Sequence, residues 1–269
     1  MFFRPRHELV PEVYERRPYL KRLYAGARQE IRLALQGHHP EPAHKFMIFA
    51  QGRTGSTLLT STLNMHPDIR CDDEILIVPR VFPLKFVERA ARVSPTSAYG
   101  FHVKITQLHA WQRLHDVAGF LAHMERRGWT IIYLWRDNAL RHVVSNIFAE
   151  TAGTYHMDGG EKTRPEKITL PLPRLERELK LRLKLREAER AALHGRAFHE
   201  IQYERDLQHP ERQIETFATL QTVIGVPQAN ITPRLKKMVA APLADLIENF
   251  AEVTSWIAGK PEYQRYLDG

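Results

Sequence analysis

Apolar and polar residues change period several times along the chain, and each change marks an element. Residues 17–36, RPYLKRLYAGARQEIRLALQ, put Leu20, Leu23, Tyr24, Ala27, Ile31 and Leu35 at helical spacing with arginines and lysines between them. The spacing predicts an amphipathic basic helix that packs on the domain and leaves its basic face in solvent, with attachment to a membrane surface as the alternative. QGHHPEPAH then reads as a loop. Residues 46–50 form the first strand, and a helix starts near Ser56 or Thr57 and runs to Met65. It stops at His66, which precedes Pro67 and so leaves the helical region. YGFHVKI at 99–105 is the next extended candidate, followed by a helical LHAWQRLHDVAGFLAHMERRG. WTIIYLW at 129–135 has the length and β-branched content of a buried parallel strand, and NALRHVVSNIFAET returns to helical spacing. Residues 153–173 are irregular, 175–194 form a highly charged helix, AFHEIQYERDL offers another short strand and turn, and the remainder is mostly helical. Strands alternating with helices of this length predict an α/β fold, a parallel sheet with helices on both faces.

Composition narrows the class. A chain of 269 residues with 43% hydrophobic content buries a sizeable core and suits one larger α/β domain at 45–269 with a basic helical extension at 1–44. A formal charge of +8 and a pI near 9.6 suit an anionic ligand, nucleic acid or an acidic membrane surface. Cys71 is the single cysteine, which excludes an intrachain disulfide or a cysteine-based zinc site and favours a reducing compartment. Arg4, Pro5 and Arg6 interrupt the start before a signal-peptide apolar run develops, and no later segment approaches the roughly 20 apolar residues of a membrane helix. The expectation is a soluble, cytoplasmic protein. His38, His39 and His44 have no carboxylate or cysteine partners nearby in the sequence and read as solvent-facing, so no metal site is expected.

The candidate chemistry starts at FMIFAQGRTGSTLL, residues 46–59. A strand that ends in QGRTGST and feeds a helix presents backbone N–H groups and the helix dipole to an anion. Gly52 and Gly55 permit tight backbone geometry, Ser56 and Thr57 add hydroxyl donors, and Arg53 is the cation inside the loop. No lysine follows Gly55, so the triphosphate-binding G-x-x-x-x-G-K-[ST] pattern fails. Further on, Arg136 closes the strand TIIYLW, at the end of a parallel sheet where ligands bind, and Ser145 follows on the next helix.

Both segments resemble a known family. FAQGRTGSTLLTSTLNMHPDI is similar to the 5′-phosphosulfate-binding segment of sulfotransferases that use 3′-phosphoadenosine-5′-phosphosulfate (PAPS). YLWRDNALRHVVSNIFAE is similar to their 3′-phosphate-binding segment, especially in the bacterial carbohydrate group of trehalose and nodulation-factor sulfotransferases. Weaker resemblance runs through YGFHVKI and LKKMVAAPLADLIENF. The resemblance implies a P-loop-like central parallel sheet and PAPS as sulfuryl donor, without a metal. The backbone of Arg53, Thr54, Gly55, Ser56 and Thr57 would hold the phosphosulfate, and Arg136 and Ser145 the 3′-phosphate, with Lys236 or Lys237 adding charge. The acceptor it implies is a carbohydrate or glycolipid hydroxyl.

Glu74, in RCDDEILIVP, corresponds to a glutamate of related carbohydrate sulfotransferases and is the expected general base, with Asp72, Asp73 and His102 as competitors. Lys104 shares a strand face with His102 and is the expected cation for the donor or leaving group. Residues 153–173 are the expected acceptor loop. Two other functions compete: a P-loop-type nucleotide phosphotransferase, which needs a magnesium-holding arrangement, and a non-catalytic nucleotide or nucleic-acid binder, which lacks interleaved aromatic and basic residues. No nucleic-acid partner is expected. The basic helix can pack on a second subunit as readily as on its own, which leaves a homodimer and peripheral membrane contact open.

Overall fold

The computed structural model describes residues 19–37, 39–151, 167–233 and 241–267. His38, Lys236, Lys237 and most of the expected acceptor loop lie outside them. In chain order, α1 (Tyr19–Leu35) is followed by β1 (His44–Ala50), α2 (Ser56–Leu63), β2 (Ile69–Asp72), α3 (Pro83–Arg92) and β3 (Ala98–Val103). Then come α4 (Ile105–Ala110), α5 (Val117–Arg126), β4 (Trp129–Trp135), α6 (Ala139–Thr151), α7 (Leu172–Leu193) and β5 (His199–Gln202). A π-helical turn (Tyr203–Leu207), α8 (Pro210–Ile224) and the shorter α9 (Leu243–Leu246), α10 (Phe250–Ala258) and α11 (Pro261–Gln264) complete the series. Among the described residues no helix is long and apolar enough to cross a membrane.

The chain divides into two compact units, Met1–Trp135 with Glu187–Arg234, and Arg136–Arg186 with Leu235–Gly269. The first holds a five-stranded, all-parallel sheet of order β2-β3-β1-β4-β5, flanked by helices as the α/β pattern predicts. Phe46, Met47, Ile48, Phe49 and Ala50 of β1 are all fully buried, which is why this strand reads as a continuous apolar run. Leu59 and Leu63 of α2 and Phe217 and Leu220 of α8 pack with Phe46, Ile48, Ile132 and Leu134 in one core layer. Gly100 is required there: a Cβ on it would lie 2.2 Å from the Phe46 ring. The chain runs from β1 to β2 and β3 on one side and then to β4 and β5 on the other. The carboxyl end of β1 is therefore the topological switch point, where the crevice of an open α/β sheet forms.

The second unit has its own core of Leu140, Val143, Val144, Phe148, Leu175, Leu179, Leu246, Val253 and Ile257. Asn138 caps α6 by accepting from the Arg141 N–H at 2.8 Å, and its amide donates to the Tyr266 carbonyl at 2.9 Å.

Five elements differ from the sequence expectation, the first being α3 (Pro83–Arg92), which was not expected. β2 was not expected; Asn64 at the end of α2 makes two hydrogen bonds to the Cys71 backbone, at 2.6 and 2.7 Å, and draws this short strand to the sheet edge. The third strand stops at Val103 rather than running to residue 105, because α4 begins at Ile105. The single long helix expected after it is split, since Asp116 accepts from the Gly119 N–H and starts α5 anew. α1 departs furthest: it packs on the fold through Gly26, whose Cβ would meet the Pro79 carbonyl oxygen at 2.0 Å, while Leu20, Tyr24, Ile31 and Leu35 face solvent.

Candidate active site

The loop between β1 and α2 is built to expose backbone donors. Arg53 (φ 68°) and Gly55 (φ 98°) both take left-handed conformations, and Gly55 sits at the N-cap of α2 with no side chain capping the helix. The one hydroxyl placed to cap from the preceding turn, that of Thr54, instead donates to the Gln51 carbonyl at 2.7 Å and braces the loop. A Cβ on Gly55 would lie 2.9 Å from the Tyr203 ring, so glycine is needed here for both dihedral and space. Ser56 is buried at the helix start and Thr57 is exposed. Gln51 is anchored from the side: its amide donates to the fully buried Glu189 at 3.1 Å, and the Tyr133 hydroxyl reaches the same carboxylate oxygen at 3.3 Å.

Lys104 overlooks this loop. Its Nζ lies 3.2 Å from where a Gly52 Cβ would stand, and its ammonium is ion-paired to Glu74 Oε1. The other carboxylate oxygen of Glu74 accepts from the Gln107 amide at 2.5 Å. The side-chain Oε1 of Gln107 in turn accepts from the Lys104 backbone N–H at 3.1 Å. Gln107 therefore ties the Glu74 carboxylate to the end of β3 while satisfying a donor at the start of α4. Glu74 and Lys104 each keep about a fifth of their side chains exposed, so solvent reaches the pair.

His102 and Asp73 form a second contact beside it. His102 is fully buried, with Nδ1 3.1 Å from Asp73 Oδ1 and Nε2 3.3 Å from the Ala50 carbonyl. Both partners are acceptors, so the ring serves both as a donor only when it carries two protons. Partial desolvation pushes the Asp73 carboxyl up, but the hydrogen bond and charge of His102 and the Lys104 ammonium outweigh it and leave its pKa below the usual aspartate range. Asp72, one residue earlier, accepts from the Tyr99 hydroxyl at 2.9 Å and pairs with Arg70 at 3.0 Å. Asp73, Glu74 and His102 bring potential metal-ligand atoms within 4.8 Å of one another. In the structure Glu74 contacts Lys104 and Gln107, Asp73 contacts His102, and His102 also faces the Ala50 carbonyl.

Chemically, this end of β1 offers helix-start N–H groups, one arginine in the loop and one ammonium above it, a set suited to a phosphate or sulfate. A shallow depression lined by Trp129, Phe198 and His199 lies at the amino ends of β4 and β5. It is at the wrong end of a parallel sheet for a ligand crevice.

A stretch of 46 residues is 48% identical to protein-tyrosine sulfotransferase 1 of Homo sapiens, and equally to that of Mus musculus. Over that stretch the chain is similar to sulfotransferases. The match covers 16% of this chain and 12% of the length of those relatives. No family model matches the chain.

The two remaining expected residues belong to the second unit. Arg136 is its first residue and Ser145 lies on α6; both are nearly fully buried. Asp137 pairs with Arg186 at 3.3 Å and with Arg265 at 3.8 Å. Sequence reasoning missed Gln107, Tyr203 and Glu189. Gln107 had a readable signal, a glutamine three residues into a helix that follows a strand. Tyr203 and Glu189 had none, because only the fold brings them to the loop.

Proposed function

We propose that the chain is a sulfotransferase that moves the sulfuryl group of PAPS to a hydroxyl of a carbohydrate or glycolipid. The observation that carries this reading is the uncapped, left-handed loop at the end of β1 with the Lys104–Glu74 pair beside it. The partial similarity to sulfotransferases supports the same reaction class. In it, residues 45–269 carry the reaction in the cytoplasm, and residues 1–44 are an extension.

The donor supplies an activated sulfuryl group on a phosphate. The N–H groups of residues 53–57, the Ser56 and Thr57 hydroxyls and the Arg53 guanidinium hold its phosphosulfate, and Arg136 and Ser145 hold its 3′-phosphate. Glu74 takes the proton of the acceptor hydroxyl as that oxygen bonds to sulfur. Lys104 stabilises the charge released on the phosphate oxygen when the sulfur–oxygen bond breaks. Positioning and electrostatics then supply most of the acceleration, as in phosphoryl transfer. Glu74 suits the base role better than His102 and Asp72 do. His102 directs both nitrogens at acceptors within the fold, and Asp72 is held by Tyr99 and Arg70.

A second reading, transfer to a tyrosyl hydroxyl, is favoured by the names of the relatives. Incubation of the purified chain with radiolabelled PAPS, sugar acceptors and tyrosine-containing peptides tests both. Label in a sugar supports the first reading and label in a peptide the second; label in neither, with the protein folded, contradicts the function proposed.

A further inference from the structure

Helix α1 is mounted on the first unit by its polar side. Arg80, buried and with its pKa pulled down to about 10 by desolvation, still carries its charge at neutral pH. It donates to the Gly26 carbonyl at 3.3 Å, to Gln29 at 2.8 Å and to the Ile75 carbonyl at 2.8 Å. Arg22 donates to the Ile77 carbonyl and stacks on Trp111, 4.4 Å from its ring centre. Arg89 caps the far end by donating to the carbonyls of Leu33, Ala34 and Gln36. With Gly26 seated against Pro79, this docking fixes which way the helix faces.

The outward face is apolar. Leu20, Tyr24, Ile31 and Leu35 are 77%, 69%, 62% and 82% exposed. At 3.6 residues per turn they fall within an arc of roughly 60°. Arg28, Lys21 and Arg32, all exposed, follow along one flank. Glu30, the single acidic residue of α1, is turned the other way and accepts from the N–H groups of Val81 and Phe82 at 2.7 and 3.4 Å. Those bonds bring two more exposed apolar side chains beside the helix, with the Lys85 ammonium 5.1 Å from the Phe82 ring centre.

We propose that this face lies on an anionic phospholipid bilayer, with the stripe in the acyl boundary and Lys21, Arg28 and Arg32 on the lipid phosphates. An apolar stripe edged by cations with no acid in the exposed arc has the charge pattern of an interfacial helix. Tyr24, apolar in body and polar at its tip, suits the headgroup level. A second copy of the chain fits worse, since it would set two rows of cations together with no carboxylate between them. This inference stands apart from the proposed reaction, which uses none of these residues.

Co-flotation of the full chain with phosphatidylcholine vesicles, with and without phosphatidylserine, tests it. Binding at least tenfold stronger to the serine-lipid vesicles is expected at low salt, weakening as salt screens the charges. Ile31→Glu with Leu35→Glu, and separately Arg28→Glu with Arg32→Glu, should each remove it tenfold or more while thermal unfolding stays that of the parent. Absent binding, equal binding to both vesicle types, or a solution dimer that Ile31→Glu with Leu35→Glu converts to monomer would overturn the proposal, the last by making a second copy the occupant.

Discussion

β1 and β3 are neighbours in the sheet and both pass into a helix at their carboxyl ends, yet the two helix starts are finished differently. After β3, Gln107 accepts the Lys104 N–H and closes the turn with the chain's own side chain. After β1, the helix starts at a left-handed glycine with no side-chain cap, and the Thr54 hydroxyl just before it is spent bracing the loop. A helix start with a left-handed glycine at a topological switch point is a place for an anion, whereas the start of α4 is tied down by half a capping box, Gln107 on the Lys104 N–H. The capped turn serves the open one: Lys104 reaches Gly52 from it, and Gln107 fixes Glu74 alongside.

Disabling the pair should have the largest effect. Glu74→Gln is expected to lower turnover by about 10² to 10⁴-fold, the range of a lost general base, while nucleotide binding stays within a few-fold. Steady-state kinetics beside calorimetry check this, and turnover near the parent value would remove Glu74 from the role. Next is the open helix start itself. Gly55→Ala, at φ 98° and against the Tyr203 ring, should cost about 2 kcal/mol of stability in denaturant unfolding and weaken nucleotide binding. An unchanged midpoint would mean the loop relaxes freely. The smallest effect belongs to the capped turn. Gln107→Ala should cost about 1 kcal/mol in the same assay, and lower turnover without changing donor affinity, because it frees Glu74 but leaves the loop intact. A loss of donor affinity equal to that of Gly55→Ala would erase the distinction between the two turns.

Much of this was legible in the chain. β1 and β4 are buried on both faces and so announce themselves as unbroken apolar runs, and the glycines and Arg53 marked the loop between β1 and α2. β2 was hidden because IRCD, although it alternates apolar and polar, is four residues long, too short to register as a period. The helix after β3 looked continuous because its apolar spacing survives the break at Asp116. α1 misled more deeply. Its stripe predicts a buried face, but Gly26, Gln29 and Arg22 supply the close approach and hydrogen bonds that dock it, and a hydrophobic pattern does not weigh those. Within the site, Glu74 and Lys104 came from resemblance and neighbourhood, whereas Tyr203 and Glu189 come from elements far along the chain and needed the fold.

The central claim is that the open loop after β1 receives the phosphosulfate end of PAPS rather than a magnesium nucleoside triphosphate. Calorimetry of the full chain against adenosine 3′,5′-bisphosphate without metal, and against ATP with magnesium, tests it most directly. The account predicts binding of the bisphosphate that Arg136→Ala weakens much more than it weakens the nucleotide lacking the 3′-phosphate. Binding of ATP with magnesium in preference to the bisphosphate would contradict it.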